Sequence, residues 1–113
     1  MNICIFGDSI TWGASDTEKG GWVERLKTYF GNKYEAIIYN LGIPGDTTID
    51  LLKRVESECK SRKPDLIIFS IGINDLWRDD RTPIKKFAEN IARLHRIAKK
   101  IHQKRDFYGA YAR

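Results

Sequence analysis

Three short segments of this 113-residue chain combine glycine with small polar side chains in a way that could do chemistry. They are Gly7-Asp8-Ser9-Ile10-Thr11-Trp12-Gly13, Asn40-Leu41-Gly42-Ile43-Pro44-Gly45-Asp46-Thr47-Thr48 and Gly72-Ile73-Asn74-Asp75. A serine that attacks an acyl carbon needs an exposed hydroxyl and nearby donors for the charge that develops on the carbonyl oxygen. Ser9 offers the hydroxyl. Glycine lets backbone N–H groups approach a substrate, and an asparagine amide donates without bringing a charge of its own. Taken alone, Gly-Asp-Ser is also an ordinary turn or cap. The G-x-S-x-G elbow is matched only in its first half, because Thr11 stands where the second glycine would be. A phosphate site is the competing chemistry, since glycine between a strand and a helix is also how such sites begin. There is no G-x-G-x-x-G, no G-K-[ST] and no acidic residue closing the second apolar run. A flavodoxin-like phosphate or nucleotide site stays open on element order alone.

Each segment follows an apolar run: Ile3–Phe6, Ala36–Tyr39 and Leu66–Ile71. These runs lack polar alternation, as strands buried on both faces do. Helical patterns lie between them. Trp22, Val23, Leu26, Tyr29 and Phe30 fall on one helical face, and Gly31-Asn32 stops it. A second helix is predicted to start at Asp46-Thr47-Thr48, to place Ile49, Leu52, Val55 and Cys59 inward, and to end before Lys63-Pro64. A third begins with Thr82 as N-cap and Pro83 at the first helical position. Its predicted apolar stripe is Ile84, Phe87, Ile91, Leu94, Ala98 and Ile101, with Lys85, Lys86, Arg93, Arg96, Lys99 and Lys100 on the other faces. The alternation predicts an α/β fold with a parallel sheet and right-handed crossovers. Ligands of such sheets bind where loops leave the carboxyl ends of the strands, which is where all three polar segments fall. Phe107–Tyr111 reads as a weak fourth strand.

Composition narrows the classes. At 42% hydrophobic and 31% charged the chain is neither a disordered tail nor a membrane protein, and no apolar run reaches the ~20 residues of a spanning helix. The first residues enter an apolar run without a basic flank, so they read as a strand and not as a signal peptide. Cys4 and Cys59 match no metal or redox spacing and read as reduced core thiols of a cytoplasmic protein. No metal or cofactor is expected. Charge is uneven: residues 1–77 hold 9 Lys+Arg against 11 Asp+Glu, and residues 78–113 hold 11 against 4. No nucleic-acid motif accompanies that basic segment, so it reads as the solvated face of the third helix and not as a nucleic-acid surface.

Together the three segments resemble the blocks of the SGNH hydrolases, also called GDSL lipases and esterases. The likeness lies in Phe6-Gly7-Asp8-Ser9-Ile10-Thr11, Asn40 to Thr47 and Gly72-Ile73-Asn74-Asp75, in the family's order, and spans about residues 2–101. It implies a flavodoxin-like three-layer α/β/α fold with sheet order 2-1-3. It also implies hydrolysis of small carboxylic esters through an acyl-enzyme. By that resemblance Ser9 is the nucleophile, and the N–H groups of Ser9 and Gly45 with the amide of Asn74 form the oxyanion hole. Asp8 and Asp75 are expected to order loops.

The chain departs from the family pattern in one respect. The family's fourth block, an aspartate followed three residues later by the catalytic histidine, has no counterpart here. The two histidines, His95 and His102, both fall in the third helical pattern. The expectation is a single partial domain over residues 1–113, lacking the family's last strands and impaired in catalysis. Self-association through the bare edge of the third strand follows from that, and a non-catalytic binding or assembly role is the alternative.

Overall fold

The computed structural model describes residues 1–31 and 33–103. Strand β1 spans Asn2–Gly7, β2 Ile37–Gly42 and β3 Leu66–Ser70. They form one parallel sheet in the order β2-β1-β3, as the resemblance implied. Successive side chains of a strand point to opposite faces, and β1 uses both. Ile3 and Ile5 join Val23 and Ile38 in one core cluster, while Cys4 and Phe6 join Leu41, Leu51, Val55, Cys59 and Leu94 in the other. That two-sided burial is why the strand reads as continuously apolar. Helix α2 (Trp22–Phe30) covers the first face, whereas α3 (Thr48–Lys60) and α5 (Ile84–Gln103) cover the second.

Two single-turn helices, α1 (Ser9–Trp12) and α4 (Ile73–Trp77), occupy segments that read as loops in the sequence. Four or five residues carry too little periodicity to show. Two of the helical stripes also need correcting. In α3 Thr48, Leu51, Val55 and Cys59 are buried and Leu52 packs on the core as expected, but Ile49 is exposed. In α5, Ile84 is 85% exposed and Ile91 38%, whereas Asn90 and Leu94 are buried and Ile97 and Ile101 pack on the core. The stripe therefore runs through 90, 94, 97 and 101, rotated from the one expected, because the helix turns Asn90 and Leu94 toward α3. The six basic residues named above are exposed on α5. No described helix is long and apolar enough to cross a membrane. The expected strand at 107–111 lies outside the described residues.

Candidate active site

The register aligns the three carboxyl ends. Gly7 of β1 pairs with Gly42 of β2 and with Ser70 of β3, so the three chain exits lie side by side, about 4.8 Å between neighbours. Ser9 follows as the first residue of α1. Asp8 caps that helix: its carboxylate accepts from the Ile10 N–H at 3.0 Å. The leading N–H groups of a helix have no partner within it, and the cap takes up that of Ile10. Ser9 itself is half-buried, and among the described residues no side chain hydrogen-bonds its hydroxyl.

Asn40 fixes α1 in place from β2. Its amide donates to the Thr11 carbonyl at 2.9 Å and to Glu24 of α2 at 3.1 Å, and its oxygen accepts from the Gly42 N–H at 3.0 Å. The helix lies so close on β2 that a Cβ at Gly42 would stand 2.5 Å from the Trp12 nitrogen. Only glycine fits there.

The second loop turns tightly at Ile43-Pro44-Gly45-Asp46, closed by Asp46 N–H to the Ile43 carbonyl at 3.1 Å. Proline second and a glycine at φ +89 third make the pattern of a type II turn. The Gly45 N–H is not used in that bond, and Gly45 is exposed, with no heavy atom within 4 Å of where a Cβ would sit. Both carbonyls beyond the turn are held. Arg78 donates to that of Gly45 at 3.2 Å, and the Asn74 Nδ2 donates to that of Asp46 at 3.1 Å. So Gly45 and Asn74 are brought together through adjoining peptides, and one Asn74 amide hydrogen is free of that bond. The Asp46 side chain turns the other way, to Arg54 of α3. Burial pushes its carboxyl above the usual range, with Arg54 opposing the rise.

Asp75 shows why the third segment is placed so firmly. Only 2% exposed, its carboxylate accepts from the Thr48 N–H at 2.9 Å and the Thr48 hydroxyl at 2.6 Å. An anion at the first turn of α3 also meets the positive end of the helix dipole. Thr47 adds a capping box with Asp50. Asp8 and Asp75 therefore do the loop-ordering expected of them. Sequence reading passed over Asn90, whose Nδ2 donates to the Thr48 hydroxyl at 3.0 Å. The available signal was a lone amide between Phe87 and Leu94.

The histidines are elsewhere. Where Asn90 meets Thr48, α5 passes the start of α3 and is already leading away from the carboxyl end. His95 lies about 7.5 Å further along the axis and His102 about 18 Å. His95 is exposed and His102 half-buried. Large apolar side chains rim the three exits instead: Ile10, Trp12, Ile43, Ile73, Leu76 and Trp77 are all exposed.

Known proteins resemble this chain in sequence and in fold. The model of the GDSL-like lipase/acylhydrolase family matches residues 5–108. An acetylxylan esterase of Geobacillus stearothermophilus is 43% identical over 49 residues, covering 43% of this chain and 22% of that protein. The solved lipase/acylhydrolase from Enterococcus faecalis superposes with a TM-score of 0.72 at 35% identity, covering 87% of this chain and 52% of its own. AlinE4, an SGNH-hydrolase family esterase, gives 0.68 at 29%, covering 91% and 51%. The chain thus spans about half the length of these solved relatives.

Proposed function

Because the chain belongs to the GDSL-like lipase/acylhydrolase family, we propose that it forms, as one domain, the nucleophile and oxyanion-binding part of a serine hydrolase of small carboxylic esters. What supports this is that the segments carrying Ser9, Gly45 and Asn74 all leave the same end of the sheet, with Asn74 bonded to the Asp46 carbonyl of the Gly45 loop. Ser9 Oγ attacks the ester carbonyl carbon, and the carbonyl oxygen becomes an oxyanion. The N–H groups of Ser9 and Gly45 and the Asn74 amide donate to it, charge that exists only in the transition state and intermediate. The alcohol leaves with a proton, and water then releases the acid from the acyl-serine. The apolar rim suits the hydrocarbon parts of the ester, and relatives that are themselves esterases support the substrate class.

The proton from Ser9 needs an acceptor within hydrogen-bond reach, and α5 carries both histidines away from that end. This polypeptide by itself is therefore a very slow esterase. Loss of the histidine in a serine hydrolase typically costs on the order of a million-fold in kcat. Among the described residues β3 is an outer strand of the sheet, and that edge would pair with a second copy. The free buried thiols of Cys4 and Cys59 fit a reducing compartment such as the cytoplasm. A fluorophosphonate probe tests the nucleophile: it should label Ser9, and Ser9→Ala should remove the label. Equal labelling of the two proteins would refute the assignment. A protein that binds ester but never acquires label would be a binding module.

A further inference from the structure

On the buried stripe of α5, where every other inward side chain is apolar, Asn90 is wholly enclosed. The direction of its hydrogen bonds is forced. The Asp75 carboxylate has only lone pairs to offer, so the Thr48 hydroxyl must spend its proton on it, at 2.6 Å. The hydroxyl oxygen can then only accept, and the Asn90 Nδ2 fills that place at 3.0 Å. In that orientation the Asn90 Oδ1 is buried, and no described residue donates to it. A leucine here would avoid that cost and extend the core. The amide instead ties α5 to Thr48 and Asp75, one residue from Asn74, whose own amide reaches the Asp46 carbonyl.

We propose that Asn90 is a positioning residue for the oxyanion hole: through Thr48 and Asp75 it sets where the Asn74 amide stands. This rests on the functional reading above. A donor that must sit within about 0.5 Å of its productive place is fixed from behind by two hydrogen bonds in series, Asn90 to Thr48 and Thr48 to Asp75.

A double-mutant cycle on the 113-residue protein tests this. The rate of phosphonylation of Ser9 by a fluorophosphonate is followed by intact mass over hours, beside thermal unfolding, for the parent, Asn90→Leu, Asn74→Ala and the double variant. Asn90→Leu should slow phosphonylation roughly tenfold, within the range that small misplacements cost. In the Asn74→Ala background the same change should leave the rate within about twofold, because the donor it positions is gone. A purely structural Asn90 would slow both backgrounds equally or neither, and either result overturns the proposal. Should Asn90→Leu not fold, Thr48→Val removes the middle hydroxyl at nearly constant volume and should show the same dependence on Asn74. Ser9→Ala separates the two layers of argument: label persisting in that variant sinks the functional reading itself, whatever Asn90 does.

Discussion

Replacing Arg54 by methionine tests how the Gly45 turn is supported from below. Arg54 donates to the Asp46 carboxylate at 2.9 Å, to the Leu41 carbonyl at 2.7 Å and to Glu58 at 3.2 Å, and its guanidinium lies 5.4 Å from the Phe6 ring centroid. The side chains of the Arg54–Asp46 pair are only 15% and 12% exposed. Methionine keeps most of the stem packing and removes everything polar. The stranded Asp46 carboxylate costs about 2 kcal/mol, below the usual figure for a fully buried pair because some water reaches this one. The orphaned Leu41 carbonyl adds about 1 kcal/mol, so at neutral pH the variant should be less stable by about 3 kcal/mol. That difference must depend on pH. Burial already holds Asp46 above the ordinary carboxylate range, and Arg54 restrains it. In the parent, the stability tied to the protonated group is present below the ordinary value and is lost as pH rises through the raised one. Without Arg54 the folded value climbs further, so the loss is larger and runs to higher pH. The two proteins should therefore converge on acidification toward pH 4 and differ most near pH 7. Urea unfolding followed by fluorescence of the three tryptophans measures both points. A difference that is the same at both pH values, or is below about 1 kcal/mol at pH 7, would refute the account of Asp46.

Gly42→Ala should destabilise by about 2 kcal/mol and suppress labelling of Ser9, since the new methyl meets the Trp12 nitrogen and the Asp8 carbonyl oxygen, at 2.5 and 2.9 Å; thermal melts and probe labelling read the two effects. Asp75→Asn keeps the shape but loses the charge at the start of α3 and reverses one hydrogen bond to Thr48. It should cost about 1–2 kcal/mol, a fall of roughly 5–10 °C in Tm. Thr47→Ala removes the α3 cap and should cost about 1 kcal/mol by urea unfolding. His95→Ala and His102→Ala should leave the slow Ser9-dependent hydrolysis of a short-chain ester unchanged, and a loss in either would name a base that α5 brings to Ser9.

The strands and their order were legible because burial on two faces leaves an unmistakable run of apolar residues, as in Ile3 to Phe6. The helix ends were legible where chemistry marks them: Thr47 caps α3 and Gly31 closes α2. The inward face of α5 was not. Ile84 and Ile91 fit a helical period as well as Leu94 and Ile101 do, and only the contact with α3 chooses between the two stripes. The polar segments announced the site by composition, and the structure brings their loops together at one end of the sheet. What no spacing shows is the wiring beneath: that Asn74 holds a peptide of the Gly45 loop, and that Asp75 reaches Thr48 across 27 positions. Such bonds link segments distant in sequence, and local patterns carry no trace of them.

The parallel sheet also governs how the chain must come together. Partners in β1 and β2 are 35 positions apart and those in β1 and β3 are 63 apart, with no hairpin among the described strands. Every strand pairing therefore waits on the closure of a long loop, which slows folding relative to chains built on local contacts. On the ribosome β1 is made first and can pair only after β2 has emerged. Until then Ile-Cys-Ile-Phe is a sticky, uncharged ribbon with no partner, the kind of window that seeds aggregation. A long-lived unpaired first strand should lower the yield from expression, so slower synthesis at low temperature or a holding chaperone should raise it.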